Sequence, residues 1–145
     1  QPEETSKTIN RQGWLRTGDL GHLDCDGFVF VTGRIKELII KGGENIAPRE
    51  IDEALLKHPY ILEAAAFSVP CKHYGHQPEA VIRLKDGKKI TLDKLFQHCT
   101  SILGSFKTPS KIHILEDLPK GPSGKVQRLK LFSIIYPIES DKADV

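Results

Sequence analysis

A chain of 145 residues, 39% hydrophobic and 28% charged, carries enough apolar material for one folded core and is not a highly charged disordered segment. A formal net charge of +2 makes no electrostatic demand for a nucleic acid or an acidic membrane surface, yet leaves room for an anionic small molecule. No apolar run nears the roughly 20 residues of a membrane-spanning helix, so no transmembrane segment is expected.

Cys25, Cys71 and Cys99 are odd in number and far apart, with neither a CxxC pair nor histidines at ligand spacing. They read as reduced thiols of an intracellular protein, cytoplasmic or of the mitochondrial matrix, and no metal site is expected. The opening residues lack a signal-peptide pattern, the sequence contains no Met, and it closes on Ala143-Asp144-Val145 rather than a peroxisomal Ser-Lys-Leu. These features lead us to expect a piece of a longer protein.

Residues Gln1 to Gln12 are polar and aperiodic and read as a loose lead-in. In Gly13-Trp14-Leu15-Arg16-Thr17-Gly18-Asp19 a single carboxylate stands on a turn, where it can either accept two hydrogen bonds, as from a ribose diol, or cap its own turn. Leu20 to Thr32 reads as a β-hairpin around Asp24-Cys25-Asp26-Gly27. The stretch Gly33 to Ile46, GRIKELIIKGGENI, then combines cations, a short apolar strand at Leu38-Ile39-Ile40 and glycines at 33, 42 and 43, positions suited to positive φ or close approach to a ligand. With Arg34, Lys36 and Lys41 it suits a phosphate-bearing ligand, or else forms a hairpin with solvated lysines.

Pro48 marks a first helical position, Glu50, Asp52 and Glu53 suit the positive end of a helix, and Ile51, Ala54 and Leu55 share one face. Glu63–Val69 and Glu79–Leu84 are apolar runs of strand length, joined by an exposed loop from Pro70 to Pro78; His73 and His76 near Cys71 have no further ligand at usable spacing. Thr91 caps a helix whose Leu92, Leu95, Phe96, Cys99, Ile102 and Leu103 form a core stripe ended by Gly104. Lys111 to Leu115 alternates as a strand, placing His113 at the surface or an edge. From Gly104 to Lys130 six basic residues face two acidic ones, and the loop Pro119-Lys120-Gly121-Pro122-Ser123-Gly124-Lys125 leaves Lys125 exposed. It is not a Walker A loop, which requires Gly where Pro119 stands and Ser or Thr where Val126 stands. After Phe132 we expect fraying. Several short strands with two or three packed helices give a small α+β domain.

Three segments, GWLRTGDLG (13–21), GRIKELIIKGGENI (33–46) and PKGPSGKVQR (119–128), in this order and spacing resemble the final third of the adenylate-forming enzymes: acyl-CoA synthetases, luciferases and peptide-synthetase adenylation domains. The resemblance covers Gly13 to Leu131. It implies that residues 1–32 are the tail of an N-terminal adenylation domain with a connecting hairpin. Residues 33–132 would be a mobile C-terminal domain, and 133–145 a flexible tail. It further implies a ligase that turns a carboxylic acid and ATP into an acyl-adenylate, then displaces AMP with coenzyme A. Asp19 and Arg34 would hold AMP, Lys36 would be the hinge, and Lys41, Gly42 and Gly43 would border the cofactor path. Lys125 would reach the reacting carboxylate and α-phosphate, and Mg2+ would be held by the N-terminal domain. Glu44-Asn45-Ile46-Ala47-Pro48 is similar to acyl-CoA synthetases rather than peptide synthetases. Gly75-His76 departs from the Gly-Glu that many members carry. The competing expectation is a non-catalytic nucleotide- or protein-binding descendant of the family. A nucleic-acid module is not expected, because exposed aromatics do not interleave with the basic residues.

Overall fold

In the computed structural model, which describes residues 2–137, the chain divides between Lys36 and Glu37 into two compact units, each with its own sheet. The first unit contains α1 (Pro2–Thr8) and a hairpin of β1 (Asp19–Leu23) and β2 (Val29–Arg34). A 3-10 turn, Ile35–Glu37, follows β2. The second contains β3 (Ile39–Lys41), β4 (Glu44–Ile46), α2 (Pro48–Leu56), β5 (Ile61–Cys71), β6 (Gly75–Leu84), α3 (Leu92–Leu103), β7 (Ile112–Ile114), a 3-10 turn at Arg128–Lys130 and α4 (Leu131–Ile135). The result is the expected small α+β fold.

The second unit is organised on the β5–β6 hairpin. β6 pairs with β5 from Gly75 to Leu84, takes β3 at Gly75, and pairs in parallel with β7 at Ala80 to Ile82. Both faces of this hairpin are covered, which is why its strands read as near-continuous apolar runs rather than as alternating ones. On one face Ala66, Ala80 and Ile82 meet Ile51 and Leu55 of α2 and Leu95 and Cys99 of α3. On the other, Ala65, Phe67, Val69 and Val81 meet Leu118 and Leu131. Successive residues of one strand thus serve two cores.

The structure corrects several sequence expectations. The lead-in contains α1, with Glu3 and Glu4 in its first turn and Lys7 in its last; it buries no residue, so no apolar period announces it. The loop from Pro70 to Pro78 contracts to a turn at Lys72–Tyr74 because both flanking strands extend into it. In α3 the buried positions are Leu95 and Cys99, while Leu92 and Ile102 stay exposed, so the core stripe is narrower than the apolar pattern. Fraying after Phe132 does not hold for residues 133–137: Ile135 and Tyr136 pack with Phe132 and Leu131 on the second core, and Tyr136 donates its hydroxyl to Glu79 at 2.8 Å. The stretch was too short to show a period. The rest of that expected tail, 138–145, lies outside the described residues. Among the described residues no helix is long and apolar enough to cross a membrane.

The three cysteines occupy graded environments: Cys25 exposed, Cys71 half-buried and Cys99 buried. Burial pushes the Cys99 thiol up to about 11. At pH 8 a disulfide-exchange reagent should therefore titrate Cys25 at once and Cys71 more slowly, reaching Cys99 only in denaturant. Because the folded thiol ionises later than its ordinary 9.0, its contribution to stability persists below that value and falls as pH rises through about 11. Rapid reaction of three thiols in the native chain, read by absorbance, would contradict this placement.

Candidate functional site

The β1–β2 hairpin brings Asp19 and Arg34 together as direct cross-strand partners, with Arg34 Nε 3.7 Å from Asp19 Oδ1 and both side chains exposed. Their register depends on a bulge between Leu20 and Gly21, where a β-carbon on Gly21 would stand 2.5 Å from the Phe30 carbonyl oxygen; only glycine fits. The carboxylate does not cap its own turn. Thr17 Oγ1 accepts from the Asp19 amide instead, whereas Asp24 is the true turn cap, accepting from the amides of Asp26 and Phe28. Asp19 therefore presents its oxygens outward beside a guanidinium. Gly33 lies within β2 without positive φ, so it is not the turn position its sequence context suggested. Lys36 is exposed on the 3-10 turn at the end of this unit.

In the second unit β3 and β4 are joined by Gly42-Gly43, with φ of 55° and 85°, the signs that a two-residue hairpin turn of the primed type requires. The two glycines differ. Gly42 donates its amide to the Tyr74 carbonyl, and a β-carbon there would press to 3.2 Å from the Tyr74 ring; a β-carbon at Gly43 would meet nothing within 4 Å among the described residues outside its own turn. The expected strand shifts by one residue, so that Ile39 and Lys41 share the buried side and Ile40 is exposed. This overturns Lys41 as a ligand-facing cation. It is only 9% exposed, its Nζ donates to the Phe106 carbonyl at 2.7 Å, and the ammonium stands 4.7 Å and 4.5 Å from the centroids of Tyr74 and Phe106.

Lys125 stands on a tight loop closed by a bridge between Lys120 and Val126. Gly121 donates to the Lys125 carbonyl, Gly124 to Gly121 and Gln127 to Pro119, which fixes the backbone on both sides of Lys125. Lys120 anchors one flank through Glu63 Oε1 at 2.6 Å. The Lys125 side chain is exposed and has no hydrogen bond or ion pair among the described residues. It is a free cation on a constrained stalk.

Two polar clusters escaped sequence reasoning. Arg128 donates from Nη1 and Nη2 to the two Asp52 oxygens at 3.2 Å and 2.8 Å, from Nη1 to the Ala66 carbonyl at 2.7 Å, and from Nε to Glu37 Oε2 at 3.3 Å. Burial pushes the Asp52 carboxyl above its ordinary value against the pull of Arg128. By sequence Asp52 is assigned to the helix dipole; its place four residues after Pro48 and three before Leu55, both buried, was the available signal. The second cluster surrounds Glu79, nearly inaccessible, which accepts from the Tyr136 hydroxyl and lies 2.7 Å from His113 Nε2. His113 is thus paired rather than free. Among the described residues no group of three or more His, Cys, Asp or Glu is placed to hold a metal.

The profile of the AMP-binding enzyme C-terminal domain matches residues 50–125. A sulfoacetate–CoA ligase of Cupriavidus necator is 53% identical over 132 residues, which are 91% of this chain and 26% of that protein. The ATP-bound structure of MatB from Rhodopseudomonas palustris superposes with a TM-score of 0.86 at 34% identity, covering 93% of this chain and 27% of that one. The o-succinylbenzoate CoA synthetase of Bacillus subtilis, solved with an acyl-adenylate intermediate, gives 0.81 at 39%, covering 87% and 25%. The chain spans about a quarter of the length of these relatives. With more than half of its residues matched by one family's profile, this chain belongs to the AMP-binding enzyme C-terminal domain family.

Proposed function

We propose that this chain serves an ATP-dependent acyl-CoA synthetase as the C-terminal domain that turns about Lys36 between two half-reactions, completed by an N-terminal adenylation domain. The observation that carries the reading is Lys125, an unpartnered cation on a loop whose backbone is fixed by its own hydrogen bonds. Attack of a carboxylate on the α-phosphate of ATP brings two anions together, and a preorganised point charge offsets that crowding without reorganising. The acyl-adenylate and pyrophosphate are the products of this step. In the second, the thiol of coenzyme A takes the acyl group and AMP leaves.

The other residues support the same reading. Asp19 offers an outward carboxylate able to accept both hydroxyls of the AMP ribose, with Arg34 beside it for the nucleotide's negative charge. Open space at Gly43 suits passage of a pantetheine arm. The division of the chain between Lys36 and Glu37 supports Lys36 as the hinge. Trp14, Leu15, Leu23, Phe28 and Val29 are each at least 60% exposed in the first unit, an apolar surface suited to packing on the adenylation domain. We assign Mg2+ to that domain, together with most contacts to ATP and to the carboxylic acid. Three unpaired cysteines support an intracellular compartment, cytoplasm or mitochondrial matrix.

On this reading the isolated chain should catalyse no ATP–pyrophosphate exchange, whereas exchange above an inactive control would place the catalytic machinery here. Joined to its adenylation domain, Lys125→Ala should slow acyl-adenylate formation on the order of 10²-fold, as loss of one preorganised charge does. Thioester formation from supplied acyl-adenylate and coenzyme A should barely change, and so should the melting temperature, because an exposed lysine contributes little to stability. Equal loss in both half-reactions would remove domain alternation from the proposal. Gly43→Leu should impair the thioester step far more than adenylation. Gly43→Ala shares its backbone strain at φ 85° without its bulk, so equal defects in the two variants would assign Gly43 to the turn alone.

A further inference from the structure

We propose that Arg128 is a positioning residue for Lys125 and that it acts through Glu37, making the lysine loop and the start of the second unit one rigid body. This rests on the reading of Lys125 as the adenylation lysine. The loop's own hydrogen bonds fix the backbone of Lys125 relative to Pro119 and Gly121, and Lys120 ties its entry to Glu63 of β5; neither reaches the start of the unit at Glu37. Its exit is held by Arg128, three residues on, whose side chain is only 17% exposed. The fork to Asp52 and the bond to the Ala66 carbonyl attach the loop to α2 and β5. The remaining bond, from Nε to Glu37, attaches it to the first residue of the unit, next to Lys36.

Planarity makes the arrangement directional. A guanidinium fork that engages both Asp52 oxygens has a fixed plane, so its Nε–H can point at Glu37 only when α2, β5 and the Glu37 backbone hold one relative placement. A lysine at 128 supplies one point charge and cannot meet these acceptors in that geometry. A turn of the chain at Lys36 is thereby delivered to Lys125 without slack from an intervening flexible joint. Angstrom-scale error in a reacting group is sufficient to lose most of its contribution.

The test uses the polypeptide in which this chain is joined to its adenylation domain. Glu37→Ala removes the Nε acceptor and leaves the Asp52 fork and the Ala66 bond, so it tests coupling without dismantling the buried pair. We expect the kcat of adenylation to fall on the order of 10-fold with KM for ATP nearly unchanged, and Glu37→Gln, which keeps an acceptor, to restore most of it. Arg128→Lys should fall further, and amide hydrogen exchange of residues 120–127 should quicken in the Glu37→Ala and Arg128→Lys variants. The deciding measurement adds Glu37→Ala to Lys125→Ala. If Glu37 acts through Lys125, no further loss appears; additive losses, or wild-type adenylation and exchange in Glu37→Ala, would overturn the proposal. The wild-type and Lys125→Ala controls separate the two levels: an unaffected Lys125→Ala removes the functional reading itself, whereas a slow Lys125→Ala beside a normal Glu37→Ala removes only the role of Arg128.

Discussion

One guanidinium joins three distant parts of the second unit. Arg128 gathers a carboxylate of α2, a carbonyl of β5 and the carboxylate of Glu37, from positions 62 to 91 residues away in the chain. Asp52 reciprocates by accepting from the Ala66 amide at 2.6 Å, so helix, strand and C-terminal segment share one set of hydrogen bonds. The upward displacement of the Asp52 carboxyl indicates that burial outweighs the attraction of the cation. A buried pair of this kind is weak evidence of added stability, and what the contacts show is which elements it joins. Removing either partner alone would still cost about 3–5 kcal/mol, since the other charge would be left buried and unpaired.

A sheet with two covered faces explains why such a specifying contact is needed. Ala65 and Ala66, adjacent in β5, belong to different cores, and the second core is closed by residues from the chain's last described turns. Hydrophobic burial would reward many placements of that segment, because apolar contact is not directional. Arg128 on one side, and Tyr136 with His113 on the Glu79 carboxylate on the other, add directional contacts to this placement, in which no buried side-chain nitrogen or oxygen among the described residues lacks a hydrogen-bond partner.

What sequence alone could reveal follows from this division between local and distant forces. Pro48, Thr91 and Gly104 announced α2 and α3 because capping acts within one turn, and Asp24-Cys25-Asp26-Gly27 announced the first hairpin for the same reason. Asp19 and Arg34 were readable as a pair only through motif resemblance, and the bulge at Gly21 that aligns them left no periodic trace. Lys41 was misread because a lysine in a glycine-rich stretch looks solvated; its burial depends on Phe106, 65 residues away. Arg128 was one basic residue among six, and nothing near it in sequence distinguished it from Lys125, whose side chain has the opposite fate. α1 and α4 lacked the length or the stripe that periodicity needs.

Gly42 and Gly43 look like one requirement stated twice, but they answer to different constraints. At position 42 the volume of a side chain is already occupied by the protein's own Tyr74, which also flanks Lys41, so this vacancy is internal and tied to the identity of the ring. A smaller residue at 74 would relax the steric part of the demand. At position 43 no atom among the described residues claims the space. What the domain itself imposes there is the positive φ of 85°, a demand of backbone conformation rather than of volume, so a side chain at 43 would be strained at its root while its far end met no packed neighbour among the described residues.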